Sequence, residues 1–187
     1  MRRLTESLAV LMAVGAVGVG LAAPNRPAGP CDRSHLPREV LALIQHHYPG
    51  WDIVRLKDLR ADDQRLWLRH HGKLCPGIAV GSFERAGYLS YALSLFKRRQ
   101  TGYDQIFVVA SKHGVHYGLR QLGSKGESAQ VPYLSVIYAL PPGKYSRPEG
   151  EMNVTTHLDS IGLEAIEAAS VMYYWRDGRY HVVVTSE

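Results

Sequence analysis

The chain carries nine histidines, the side chain most often used near neutral pH to move protons or hold a metal. His46-His47 and His70-His71 are adjacent pairs. Both fall in segments with helical spacing, where neighbours point about 100° apart, so neither pair forms a chelate. His70 and His71 read as cations favoured at a helix C-terminus, and His47 as a packing residue. His113 and His116 form a closer candidate, because they flank Gly114-Val115 and a turn there brings the rings together. Zinc needs three or four ligands in a tetrahedral array, so His157 or His181 would have to join them. No HExxH or paired CxxC spacing occurs. Surface histidines on a hairpin are the plainer reading, and no metal or other cofactor is expected.

Other catalytic chemistries leave weaker traces. The Gly-x-Ser-x-Gly elbow is absent, and Ser111 beside His113 is too common a pairing to count. Glycosidic hydrolysis needs two carboxylates facing one cleft. The pairs Glu149/Glu151 and Glu164/Glu167 supply the residue type, but read as solvated acids. Neither phosphate-binding glycine pattern is present.

Binding chemistry is better represented. Lys97-Arg98-Arg99 lies near Tyr88, Tyr91 and Tyr103 in sequence. Basic residues interleaved with aromatics suit an anionic polymer, whereas a basic strand end that guards a sheet edge is the plainer account. Near the C-terminus, Tyr173 and Trp175 share one strand face and Tyr174 takes the other. Exposed aromatics beside arginine are typical hot-spot chemistry, although core packing accounts for them more simply. The candidate binding surface is therefore Lys97, Arg98 and Arg99 with Tyr174, Trp175 and Tyr180.

Elements must position these groups. Leu36, Val40, Leu43 and Ile44 repeat at helical spacing behind Ser34 as N-cap, and Tyr48-Pro49-Gly50 stops the helix. A short strand follows over Asp52 to Leu56, then a second helix from about Asp62 to His71, ended by Gly72. From Gly77 the texture changes to strands: Ile78–Val80, Tyr88–Phe96, Ile106–Ala110, Val115–Leu122 and Tyr133–Leu140. Residues 144–153 read as polar and turn-rich, and Ile161–Ala169 fits either helix or strand. Asp177-Gly178 between two β-rich runs is a type I′ hairpin signal. The expected fold class is α+β: two N-terminal helices packed on a largely antiparallel β-sheet that ends in a C-terminal hairpin.

The N-terminus reads as an export leader. Arg2 and Arg3 precede the uncharged run Leu8–Ala23, and Ala22 and Ala23 offer a small-residue cleavage site. At 16 residues the run is shorter than the roughly 20 needed to cross a bilayer. The organisation expected is a signal peptide over 1–23, a flexible segment over 24–33 and one globular domain over 34–187. The whole chain has 22 basic and 17 acidic residues, a charge of +5. Losing Arg2, Arg3 and Glu6 with the leader leaves 20 against 16, or +4. So mild an excess favours an anionic surface or partner and does not call for nucleic acid. Two cysteines, Cys31 and Cys75, in an oxidising compartment most simply form one disulfide; two unrelated thiols are the alternative.

Ser82-Phe83-Glu84-Arg85-Ala86-Gly87-Tyr88-Leu89-Ser90-Tyr91-Ala92 resembles a degenerate FG-GAP/VCBS-type loop. In that family alternate acidic residues wrap calcium. Here the acidic positions hold Ser82, Glu84, Ala86 and Ser90, so the resemblance implies the scaffold without calcium. The order of Gly50-Trp51, Asp62-Asp63, Leu66-Trp67, Cys75-Pro76-Gly77, Pro142-Gly143 and Tyr174-Trp175-Arg176-Asp177-Gly178 is similar to that of small exported bacterial proteins of unknown function. The resulting expectation is a periplasmic or extracellular protein without stable membrane insertion. It would be a non-enzymatic module that binds a protein or an anionic envelope component, for example as an inhibitor or immunity-type partner. A small envelope hydrolase using carboxylates or a histidine-held metal is the alternative.

Overall fold

The structure of the protein, a computed structural model, describes residues 31–123, 128–146 and 153–186. The leader expected over 1–23, and residues 24–30 of the flexible segment, lie outside the described residues.

Strands β3 (Ser90–Arg98) and β4 (Tyr103–His113) pair antiparallel at the centre, with Leu95 opposite Ile106 and Ala92 opposite Val109. Side chains alternate between the two sides of a strand. Here both sides are apolar. Leu93, Leu95, Ile106, Val108 and Ala110 point one way, where Val40 and Ile44 of α1 (Arg38–His47) cover them together with Leu36. Ala92 and Val109 point the other way and pack with Phe83, Leu122, Ile137 and Ile161.

Short strands complete this first sheet. β1 (Asp52–Ile53) and β2 (Ile78–Gly81) pair with β3, while β5 (His116–Leu122) and β6 (Ala129–Val131) pair with β4. A second sheet runs in the order β12–β11–β10–β7, from β7 (Val136–Leu140), β10 (Ser160–Ala165), β11 (Ala169–Arg176) and β12 (Arg179–Ser186). Its Ile137 and Ile161 meet the first sheet. Its other side meets the hairpin β8 (Gly143–Ser146)–β9 (Asn153–Thr156) through Val154, Met172 and Val183. Every pairing among the described residues is antiparallel.

The expected α+β class, two N-terminal helices packed on one sheet, is therefore corrected to a mainly β architecture. Among the described residues, two short α-helices, α1 and α2 (Ala61–His71), lie within 38–71, and twelve strands supply most of the remaining regular structure. The helices do not form a joint layer. α1 covers one side of the first sheet, whereas α2 wedges Trp67 against Val54, Phe96, Leu134 and Val136. The ambiguous stretch 161–169 is not helical: Ile161–Ala165 belongs to β10, with Ile161 and Leu163 opposite Tyr173 and Val171, and a turn over 166–168 leads into β11 at Ala169. Of the stretch 144–153, expected as irregular, residues 144–146 lie in β8 and Asn153 opens β9, its antiparallel partner. Asp177 and Gly178 both take positive φ, 51° and 76°, as the type I′ turn requires.

One buried amide joins the two sheets. Gln105 on β4 donates to Ser94 Oγ at 2.8 Å and to the Ser135 carbonyl at 2.7 Å, and accepts the Ser135 N–H at 3.0 Å. Ser135 immediately precedes β7, so this side chain fixes where the chain leaves the first sheet for the second. Close approach matters equally at Gly162, where a Cβ would stand 2.4 Å from the Tyr138 ring.

Tyr138 also meets the end of α2. His71 stacks on Trp67 at 4.1 Å and lies 4.6 Å from the Tyr138 ring, while its Nε2 is 4.0 Å from Glu164 Oε2. Burial, and then the charge of His70, holds the His71 pKa below the ordinary histidine range. Burial pushes the Glu164 carboxyl up, against the pull of His70. Cys31 and Cys75 are joined by a disulfide, with Cα atoms 4.9 Å apart and a sequence separation of 44. Among the described residues no helix is long and apolar enough to cross a membrane.

Three outcomes follow. Cys31→Ser/Cys75→Ser should lower unfolding free energy by about 3–4 kcal/mol, read by urea denaturation, because the unfolded chain regains the closed loop. Gln105→Ala should cost about 2–3 kcal/mol in the same assay, since it strands buried partners on Ser94 and Ser135. The pH dependence has opposing parts. His71 binds its proton more readily when unfolded, so it withdraws stability as pH falls through about 6.5. Glu164 binds its proton more readily when folded, so it adds stability as pH falls and loses it as pH rises. Between pH 7 and 4 the melting temperature should therefore fall more steeply with decreasing pH in Glu164→Gln and less steeply in His71→Gln than in the wild type.

Candidate functional site

The hairpin joining β2 to β3 turns through residues 82–89. The Ser82 N–H donates to Asp159 Oδ2 at 2.7 Å, and Phe83 is fully buried between the sheets. With those two points fixed, the next side chain is carried inward. The Glu84 side chain is only 7% exposed.

This carboxylate meets groups from three other strands. Its Oε1 lies 3.4 Å from Arg120 Nε of β5, and its Oε2 lies 3.8 Å from His113 Nε2 at the end of β4. The Tyr180 hydroxyl of β12 stands beside Glu84 and Ser111 without a well-directed hydrogen bond to either. Burial, followed by the Glu84 charge, pushes the Tyr180 phenol far above its ordinary range. No hydrogen bond joins Ser111 to His113 among the described residues, so this cluster presents no assembled nucleophile–base pair. Arg120 is held a second time, with its guanidinium carbon 5.1 Å above the Trp175 ring, and Trp175 meets Tyr180 edge-on at 4.9 Å.

Arg120 and Tyr180 have another surface. Both line a cleft of about 850 Å³, within the range of ligand sites. It opens between the end strands β5 and β12 and the C-terminal end of α1. Trp51, Leu119, Tyr173 and Val182 supply its apolar walls, and Arg179 joins Arg120 as the second cation. No carboxylate lines it among the described residues. Val182 is 56% exposed although it sits within a β-branched run, because the first sheet does not extend over this part of the second.

The residues singled out in sequence are redistributed. Glu84, His113 and Tyr180, which belong to a degenerate metal loop, a histidine pair and a binding surface, come together in one cluster. His116 turns away, with Nδ1 3.2 Å from Glu39 Oε1 of α1. In the calcium-like loop, Ser82 engages Asp159, Ala86 is exposed and Ser90 is buried. Lys97, Arg98 and Arg99 lie at the far end of β4 from this cluster, because Arg98 pairs with Tyr103 and Ser111 with Gly118. Two of them are already engaged: Arg98 lies 3.6 Å from Asp58, and Arg99 pairs with Asp104. Tyr174 takes the opposite side of β11 and stacks on His181. Only Trp175 and Tyr180 of the expected surface remain together.

Sequence reasoning passed over Arg120, Trp51, Tyr173 and Val182 as members of one site. Arg120 had a usable signal, since in a period-2 reading of 116–122 it shares a side with buried Leu122. Trp51 and Val182 had none, because they meet only through the fold. No known family, curated protein or solved structure matches the chain.

Arg120→Ala should cost about 2–3 kcal/mol in urea unfolding, because it leaves the buried Glu84 carboxylate with only the longer contact to His113. Adding Glu84→Gln to that variant should recover most of the loss, a coupling that a double-mutant cycle measures.

Proposed function

We propose that this chain is an exported binding module that captures an anionic partner in the cleft between β5 and β12. The cleft itself carries the reading: aromatic walls from Trp51, Tyr173 and Tyr180, charge supplied by Arg120 and Arg179, and no lining carboxylate among the described residues. Aromatic and arginine side chains concentrate binding energy where water is excluded. Glu84 and Trp175 hold Arg120 in place before any partner arrives, which lowers the ordering cost of binding. The Cys31–Cys75 bridge supports maturation in an oxidising compartment, and the leader-like N-terminus supports export to the periplasm or beyond.

Polyglutamate and polyphosphate are suitable first probes, one an acidic polypeptide and the other an anionic polymer without peptide bonds. Binding of at least one should change the tryptophan emission of the wild type but not that of Trp51→Phe, and should weaken with salt. Arg179→Glu should weaken it tenfold or more at an unchanged melting temperature. Equal binding by Arg179→Glu, or no binding of either probe, would remove the proposal.

A further inference from the structure

The two strands flanking the cleft end their sheets differently. β5 pairs with β4 across His113/His116, Ser111/Gly118 and Val109/Arg120, on either side of a two-residue turn. That register directs the backbone groups of Tyr117 and Leu119 outward. The Tyr117 N–H is closed off by Glu39 Oε1 of α1 at 3.0 Å. β12 has no such guard among the described residues. It follows the Asp177-Gly178 turn with Arg176 opposite Arg179, so Tyr174/His181 and Met172/Val183 exchange hydrogen bonds with β11. The N–H and C=O groups of Tyr180, Val182 and Val184 therefore point away from the sheet, about 7 Å apart along the edge. From Tyr180 to Val184 the edge contains no proline and no lysine, two of the devices that keep exposed edges from pairing. Tyr180 and Val182 also project their side chains into the cleft, beside Arg120 and Arg179.

We infer that the anionic partner is a polypeptide that docks as an extended strand on β12 and becomes the fifth strand of the second sheet. The inference rests on the cleft-binding reading and adds the partner's chemistry to it. Outward backbone donors and acceptors at alternate residues match another backbone, and they give a polyphosphate or a lipid headgroup nothing periodic to pair with. Alternation then places every second side chain of the incoming strand in the cleft. An apolar residue there covers Val182 and Tyr173, and an acidic residue at its rim meets Arg179 and Arg120. Charge complementarity sets the occupant: Arg179 and Arg120 call for an acidic side chain, and β12 (Arg179–Ser186) of a second copy has none to offer.

A displayed library of random ten-residue peptides, panned on the disulfide-bonded protein, supplies the probe. Selected peptides should alternate apolar residues and carry at least one acidic residue. On binding, amide exchange at Tyr180, Val182 and Val184 should slow tenfold or more. Val182→Pro deletes an outward N–H, and should weaken peptide binding at least tenfold at an unchanged melting temperature, whereas Val182→Thr, which also alters the side chain but keeps the N–H, should bind at least threefold more tightly than Val182→Pro. If Val182→Pro fails to fold, the exchange measurement on wild type decides alone. Unchanged exchange at the three amides, equal binding by Val182→Pro, failure to select any peptide, or a dimer in sedimentation that Val182→Pro abolishes would overturn the inference. Peptides that lose binding in Arg179→Glu but are indifferent to Val182→Pro would leave cleft capture standing and remove strand addition alone.

Discussion

Strands β3 and β4 place apolar side chains on both of their sides, and a strand pair of that kind is stable only when both sides are covered. Everything else in the molecule answers that demand. α1 lays Val40 and Ile44 over Leu93, Leu95 and Val108, while the second sheet presents Ile137 and Ile161 to Ala92 and Val109. Burial of this kind contributes roughly 25 cal/mol per Å² of apolar surface, so a large side chain left wet would cost more than most single polar contacts repay. The second sheet is thereby tied to the first, and Gln105 sets the crossing point with hydrogen bonds that have no solvent to compete with them.

Covering the centre leaves the ends of the sheets apart. β12 lies at one end of the second sheet, and the first sheet stops short of it, so Val182 remains more than half exposed. The cleft is the space that results. Its charge has the same origin: the hairpin loop anchored by buried Phe83 swings Glu84 inward, and the carboxylate draws Arg120 and the Tyr180 hydroxyl toward it. A buried carboxylate needs partners, and those it finds happen to form the inner wall of the cleft. Packing of the core and shaping of the candidate site are thus one arrangement seen from two sides.

Much of the local structure was legible in the residues. The Asp-Gly turn, the two short helices and the strand texture after Gly77 follow from turn chemistry and periodicity, which act over a few residues. The class was misjudged because helical spacing at 38–71 shows that helices form but not how much of the core they cover. Continuous apolar runs such as Ile106–Ala110 signalled burial on both sides without saying what lies on either. In the candidate site, Glu84, His113 and Tyr180 each stood out separately. Their meeting depends on three strands whose order no local pattern encodes.

By itself, then, the sequence determined most of the segments that extend or coil, that two cysteines were present to be linked, and that Tyr180 and Glu84 carry ionisable groups. Those properties depend on side-chain type and on neighbours within a turn or two. Tertiary structure alone decided that Cys31 and Cys75 stand 4.9 Å apart at Cα, that Arg98 and Arg99 are already matched with acids, and that Arg120, Tyr180 and Val182 border one cleft. The reason is physical. Charge and hydrogen-bond energies depend on distances of a few ångströms and on the exclusion of water, and both are set when distant strands are brought together to cover an apolar core.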